Sequence, residues 1–156
     1  MQLSERIQRL EDIEEIRRLR NMYHYFINEN CPARFREIYT SDATLQFGDK
    51  MTWVGIDAIE AGFRAMPGRT SLIKQFNHNH QIDIAGDVAS AFSYFEARYA
   101  TADKQSLMVA GRYDENYLRV SDGWRISKTF IHLIYAVPVD VGWAGDKLDY
   151  FPTIPR

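Results

Sequence analysis

Two histidines two residues apart, His78 and His80 in Gln75-Phe-Asn-His-Asn-His-Gln81, head a run that alternates in hydrophobicity. On a strand, side chains two residues apart share a face, so the pair could bind one metal ion. Imidazole is also the side chain whose ordinary pKa best suits proton transfer near neutrality, and either ring could be an ordinary strand residue. A metal needs at least a third ligand. His24 and His132 lie in separate elements, with no HExxH word and no cysteine cluster beside them, so no metal ligand is assigned. Of the pair, His78 is the expected proton-transfer residue if a bulge turns it inward, and His80 is expected to face away.

Other polar side chains fall on the same apparent strands. Trp124, Ile126, Lys128, Phe130 and His132 alternate onto one side of the last strand, and if the first two pack on helices, Lys128 and His132 point into a cavity. Lys128 could hold an oxyanion or be a solvated lysine. His132 could be a second base or a hydrogen-bonded core histidine. Val109, Gly111, Tyr113, Glu115 and Tyr117 share a side one strand earlier, with Tyr113 as the pocket phenol. Tyr23, on the first helix, is either a core aromatic or a hydroxyl donor to a leaving or carbonyl oxygen.

The elements that must position these groups follow from pattern. Ile7, Leu10, Ile13, Ile16, Leu19, Tyr23 and Phe26 recur every three or four residues and predict an amphipathic helix from Ser4 to Asn28. Asn30-Cys-Pro32 breaks it. A second helix is expected over Ala33 to Tyr39 and ended by Ser41-Asp42, followed by short strands Thr44 to Phe47 and Met51 to Val54. A third helix, Ile56 to Met66, is stopped by Pro67-Gly68. Four long strands come next, Leu72 to Ile84, Ala89 to Ala100, Leu107 to Val120 and Trp124 to Val137. Residues 138–156 read as an irregular tail, whose Trp143, Tyr150 and Phe151 are expected to be buried. Helices first and long antiparallel strands afterwards imply one α+β domain over residues 1–156, three N-terminal helices on a curved, mostly antiparallel six-stranded sheet with a pocket on its concave side.

Composition narrows the partners. The 156 residues are 46% apolar and 26% charged with a net charge of −2, ordinary for one globular domain. Basic residues alternate with acids instead of clustering, which argues against nucleic acid, and no apolar run is long enough to cross a bilayer. The start is too acidic for a signal peptide, and the lone Cys31 beside Pro32 reads as inert, so a cytoplasmic location is expected.

Six short words resemble one family: Leu10-Glu-Asp-Ile-Glu-Glu-Ile16, Tyr39-Thr-Ser-Asp-Ala43, Gly55-Ile-Asp-Ala-Ile59, Ile82-Asp-Ile-Ala-Gly-Asp87, Gly111-Arg-Tyr-Asp-Glu115 and Asp122-Gly-Trp-Arg-Ile126. In this order they resemble the SnoaL-like branch of the nuclear-transport-factor-2-like superfamily, across roughly Ile7 to Tyr135. The resemblance implies a cone-shaped α+β barrel, a fold that hosts dehydratases, cyclases, isomerases, dehydrochlorinases and binding modules. In its lyases an Asp at the end of the first helix orients a His on the third strand. Here the Asp position falls on Asn28 and the His position on Gln75, and neither amide is a base near pH 7. Asn28 could still orient a partner and Gln75 contact substrate; Tyr23 resembles a tyrosine of bile-acid dehydratases.

The reading that results is a cofactor-independent lyase, dehydratase or isomerase acting on a small, hydrophobic, cyclic or aromatic molecule. His78, Tyr23, Asn28 and His132 are its catalytic candidates, and Gln75, Tyr113 and Lys128 its substrate contacts. The alternative is a non-catalytic ligand-binding or assembly domain of the same fold. A homodimer or homotrimer is expected, from the exposed sheet and the aromatic tail.

Overall fold

The structure, a computed structural model, describes residues 2–66 and 70–151. The expected helix stop at Pro67-Gly68 and the last prolines, Pro152 and Pro155, lie outside the described residues. The apolar-periodic run forms α1, Leu3–Asn28, and the Gln2 N–H donates to Glu5 Oε2 at 2.8 Å, satisfying a donor that a helix start leaves free. Ile16, Leu19, Tyr23 and Phe26 are buried as their spacing requires, but Ile7 and Leu10 remain exposed on the first turns.

Asn30 leaves the helix with a positive φ of 53°, which Asn tolerates better than most residues. Pro32 then opens a 3-10 turn, Pro32–Glu37, in place of the expected helix from Ala33 to Tyr39. Tyr39 instead begins a strand, β1 (Tyr39–Phe47), and the Ser41-Asp42 step expected to stop that helix falls within an irregularity of β1 between Tyr39 and Thr44. β2 (Met51–Val54) follows, and Gly55, at φ 82°, turns the chain into α2 (Ile56–Ala65). The rest is sheet: β3 (Thr70–Ala85), β4 (Val88–Thr101), β5 (Ser106–Val120) and β6 (Gly123–Pro138).

The six strands form one curved sheet in the order β2-β1-β6-β5-β4-β3, antiparallel throughout except that β1 and β6 run parallel. Helix α1 packs against β3 and β6, so its inner face closes the concave side. Two irregularities decide which residues face that side. In β3 the pairing slips between His78 and Gln81, where Asn79 has a φ of 53°. In β6 it slips between Ile126 and Lys128, leaving Ser127 as an extra residue. A one-residue insertion exchanges the two faces of a strand beyond it.

Beyond these bulges the inner sets are Asn77, then His80, Ile82 and Ile84 on β3, and Trp124 and Ile126, then Thr129 and Ile131 on β6. β5 needs no correction: Val109, Gly111, Tyr113, Glu115 and Tyr117 all face inward and are buried. Gly111 is required there, since a Cβ would stand 2.3 Å from the Phe95 ring. Of the tail aromatics, Tyr150 and Phe151 pack on the core, with Phe151 edge-on to Phe47 and Tyr99, whereas Trp143 stays exposed, stacked on Tyr135.

One ion pair joins helix to sheet through the middle of the molecule. Arg20 and Glu115 are fully buried and joined by a two-point contact, Arg20 Nε to Oε2 at 2.9 Å and Nη2 to Oε1. Tyr117 donates to Oε2 at 2.5 Å and Thr129 to Oε1 at 3.1 Å, so both carboxylate oxygens are doubly engaged. The guanidinium lies over the rings of Tyr23 and Tyr113, 4.2 and 4.1 Å from their centres. Removing one partner strands a buried charge. Arg20→Met and Glu115→Gln are each expected to cost about 3–5 kcal/mol in urea unfolding. The Arg20→Met/Glu115→Gln double variant should lose less than the sum of the two losses by roughly 2 kcal/mol or more.

Candidate active site

A cavity of about 330 Å³ opens between the end of α1, the 3-10 turn, the end of α2 and the start of β3. Phe26, Phe35, Phe63, Met66 and Ile73 make its apolar wall, and Asn28 and Lys74 add polar groups. Phe35 and Phe63 stack with ring centres 4.0 Å apart, and Tyr23 meets both edge-on.

Two ladders of polar side chains descend from this cavity into the cone. On α1, Asn28, His24 and Arg20 are four residues apart and therefore share a face, about one helical turn between rungs. On β3 the inward residues after Ile73 are Gln75, Asn77 and, past the bulge, His80. The top rungs are fastened together: Asn28 Nδ2 donates to the Gln75 carbonyl at 2.9 Å, and the Gln75 N–H donates to Asn28 Oδ1 at 2.7 Å. Asn28 thus holds the backbone of the very residue that stands where the resemblance places a histidine. The Gln75 side chain accepts from Tyr113 Oη at 3.1 Å.

His24 occupies the second rung. It is buried, edge-on to the rings of Tyr23 and Tyr113 at 5.4 and 5.6 Å, and neither ring nitrogen has a hydrogen-bond partner in the protein. Burial, and then the charge of Arg20, push its pKa well below the ordinary histidine value, so it is a neutral base at pH 7. Asn77 lies beside it and offsets part of that shift. His80 is half-buried further down and is pushed to about 4 by burial, with Arg20 and Arg17 adding to the effect. Burial likewise raises Tyr23 and Tyr113 well above the usual phenol range, so both hydroxyls keep their protons.

Several sequence expectations change here. His78 points outward, with half its side chain exposed, and faces Glu96 at 3.6 Å, because the bulge turns His80 and not His78 inward. The Ser127 bulge sends Lys128 and His132 to the outer face; His132 contacts Asp114 at 2.6 Å, and Arg112 grips the same carboxylate at 2.7 Å. Tyr23, Asn28, Gln75 and Tyr113 do come together on the concave side. Buried Arg20, His24 and Ser93 and half-buried Asn77 were not expected among the site residues. His24 could have been found by counting in fours back from Asn28. Among the described residues no group of three or more His, Cys, Asp or Glu is placed to hold a metal, and no helix is long and apolar enough to cross a membrane.

Residues 8–129 match the family described as the SnoaL-like domain. Curated proteins give no match. Among solved structures, the chain is similar to hexachlorocyclohexane dehydrochlorinase LinA-type3 from Novosphingobium barchaimii LL02. The TM-score is 0.80 at 18% identity, over 90% of this chain and 96% of that one. A candidate scytalone dehydratase from Novosphingobium aromaticivorans DSM 12444 aligns with a TM-score of 0.77 at 15% identity, over 90% and 93%. A nuclear transport factor 2-like superfamily protein from Salmonella enterica serovar Typhimurium LT2 aligns at 0.71 with 19% identity, over 83% and 96%. At these identities the likeness establishes the fold.

The two inward histidines give stability a pH dependence. An unfolded chain takes up protons on them below about pH 6.5, whereas the folded chain resists, so stability falls as pH drops. For His80 the loss develops from about 6.5 down to about 4 and then stops growing. Asp12, held near 2 chiefly by its hydrogen bonds from Arg119, adds its own loss only below the ordinary carboxylate range. Thermal melts from pH 7 to 4.5 should therefore show a falling Tm. His80→Gln should flatten that fall by on the order of 1–2 kcal/mol, a figure reduced for the partial exposure of the ring.

Proposed function

We propose, from the premise that this chain belongs to the SnoaL-like domain family, that it is a lyase of the dehydratase kind, or an isomerase, working by acid–base chemistry of its own side chains. Its substrate is a small, largely apolar, cyclic or aromatic molecule that enters by the cavity beside Asn28. One observation carries this reading: a buried imidazole, His24, held neutral and without a hydrogen-bond partner in the protein, lies against two protonated phenols one helical turn beneath that cavity.

In this reading His24 removes a proton from carbon. The electron pair left behind moves toward an adjacent electron-withdrawing or leaving group, and Tyr23 donates a hydrogen bond to the oxygen that gains charge. Donors fixed in a dry site need no rearrangement as that charge grows. Asn28 positions Gln75, and Gln75 orients the Tyr113 hydroxyl. The fold of the neighbouring dehydrochlorinase and dehydratase structures supports elimination chemistry. The outward side chains Phe76, Tyr94 and Ile134 support assembly into a homodimer or homotrimer, which sedimentation would measure for the purified chain.

A second reading, a non-catalytic ligand-binding domain, is favoured by the clamp itself, since Asn28 spends both ends of its amide on the Gln75 backbone and leaves no carboxylate–imidazole dyad there. A panel of phenolic, halogenated and hydroxylated alicyclic compounds separates the two. The expected outcome is turnover of at least one compound, lowered roughly 100-fold or more by His24→Gln with little change in binding. Binding of several compounds with none consumed would establish the second reading instead.

A further inference from the structure

The first turns of α1 project beyond the sheet as a free arm. Residues 2–10 are all exposed, and among the described residues the first side-chain hydrogen bond from α1 to the sheet is that of Arg9 to the Ile84 carbonyl, at 3.4 Å. Within this arm Leu3, Ile7 and Leu10 are 68%, 49% and 66% exposed. Spacings of four and three put them on one stripe. Each stands nine residues before a buried side chain, Asp12, Ile16 and Leu19 in turn. Nine residues make about two and a half turns, so the stripe points away from the face that α1 packs on the sheet. Exposed apolar residues scattered singly are ordinary, but three in line along a rigid helix form a seam.

The residue types select what fits that seam. With Ile7 at position a of a heptad, Leu3 and Leu10 fall at d, Arg6 at g and Glu11 at e. A β-branched residue at a with leucine at d favours two parallel strands. In a parallel pair each g residue faces the e residue five positions further along the other helix. Arg6 of one copy therefore meets Glu11 of the other, and the two-fold axis makes the bond twice. An antiparallel pair sets each flank against its own copy, so that Arg6 and Glu11 no longer meet. Among the described residues neither has an ion-pair partner in its own chain.

The seam ends after Leu10, because exposed Glu14 and Arg17 take the next a and d positions and part the two helices. Short as it is, it carries no nucleation cost, since the buried residues from Asp12 onward already hold α1 as a helix. The two cones lie on the outer sides of the pair and do not collide. Glu5 and Glu11 among the arginines oppose the alternative of an anionic membrane surface, which favours a basic flank.

We propose that the N-terminal arm of α1 is a self-association surface, on which Leu3, Ile7 and Leu10 pack against the same residues of a second copy in a parallel pair fastened by reciprocal Arg6–Glu11 bonds. The contact is separate from the outer face of the sheet and independent of the small-molecule reading. Three apolar side chains per copy fall short of the ~1,200 Å² that specific complexes usually bury, so the pairing depends on concentration.

Sedimentation of the whole chain over a range of concentrations tests it. Wild type should show an association step that Ile7→Glu weakens roughly 10-fold or more and that Phe76→Glu, on the outer face, leaves in place. Ile7 is exposed, so the Tm of its variant should match wild type. At low salt Arg6→Glu should weaken the step and Arg6→Glu/Glu11→Arg should restore it. In a Cys31→Ser background, oxidation should link Leu10→Cys chains into dimers and leave Gln8→Cys chains, whose thiol points off the stripe, unlinked. A chain that is monomeric at every concentration, an association step untouched by Ile7→Glu, or equal cross-linking at both cysteines overturns the proposal. So does binding to phosphatidylglycerol vesicles that Ile7→Glu abolishes in the absence of self-association, which makes the arm a membrane contact instead.

Discussion

The dry ion pair between Arg20 and Glu115 fixes where everything else in the interior can be. Desolvating two charges costs several kcal/mol per ion, and only near-complete pairing offsets that, so the pair tolerates one geometry. Glu115 meets that demand with four contacts, from Arg20 twice, Tyr117 and Thr129, and Thr129 is in turn hydrogen-bonded to Tyr39 at 2.8 Å. Helix α1, β1, β5 and β6 are thereby tied at one point. With Arg20 pinned, the rotation of α1 is set, and residues four and eight positions on, His24 and Asn28, must face β3. A helix slid by one turn would offer Ile16 or His24 to a buried carboxylate, so the pair also selects against that register.

Much of this could be read from the sequence, and what could not has two physical origins. Periodicity sufficed for α1, α2 and the four long strands, and the inward set of β5 from Val109 to Tyr117 was read correctly because that strand carries no inserted residue of its own. Strand alternation is a phase, however, and one extra residue inverts it. At Ser127 the inversion moved Lys128 and His132 from the expected interior to solvent. At Asn79 it exchanged the expected roles of His78 and His80. Asn is among the few non-glycine residues that accept a positive φ, so the clue was present between the two histidines without being decisive. Arg20 and His24 stayed hidden for a different reason. They flank an apolar helical stripe, where charged and polar residues ordinarily mark the solvent side, and only the carboxylate on a distant strand makes the interior acceptable to Arg20.

The expected dyad positions illustrate how a fold can keep a scaffold and change its occupants. Asn28 and Gln75 remain in mutual contact, but through amide and backbone, which positions without exchanging protons. The titratable groups of the interior lie one turn further in. Along α1 the order is an amide near the opening, then a buried imidazole beside two phenols, then the buried ion pair. The outer face uses the same residue types differently: His132, Asp114 and Arg112 satisfy one another in contact with water.

The parallel join of β1 to β6 governs how the molecule comes into being. β1 leaves the ribosome long before the neighbour that covers its long edge, the last strand of the sheet, so all of the intervening chain must be made before that seam can close. Such distant pairings raise the loop entropy to be overcome and slow folding relative to a bundle built from local contacts. Until β6 arrives, β1 is an open edge able to pair with strands of other chains, and α1 carries an arginine destined for a dry interior whose carboxylate partner has not yet been synthesised. Nascent chains are thus open to misassembly from the time β1 is made until β6 docks beside it.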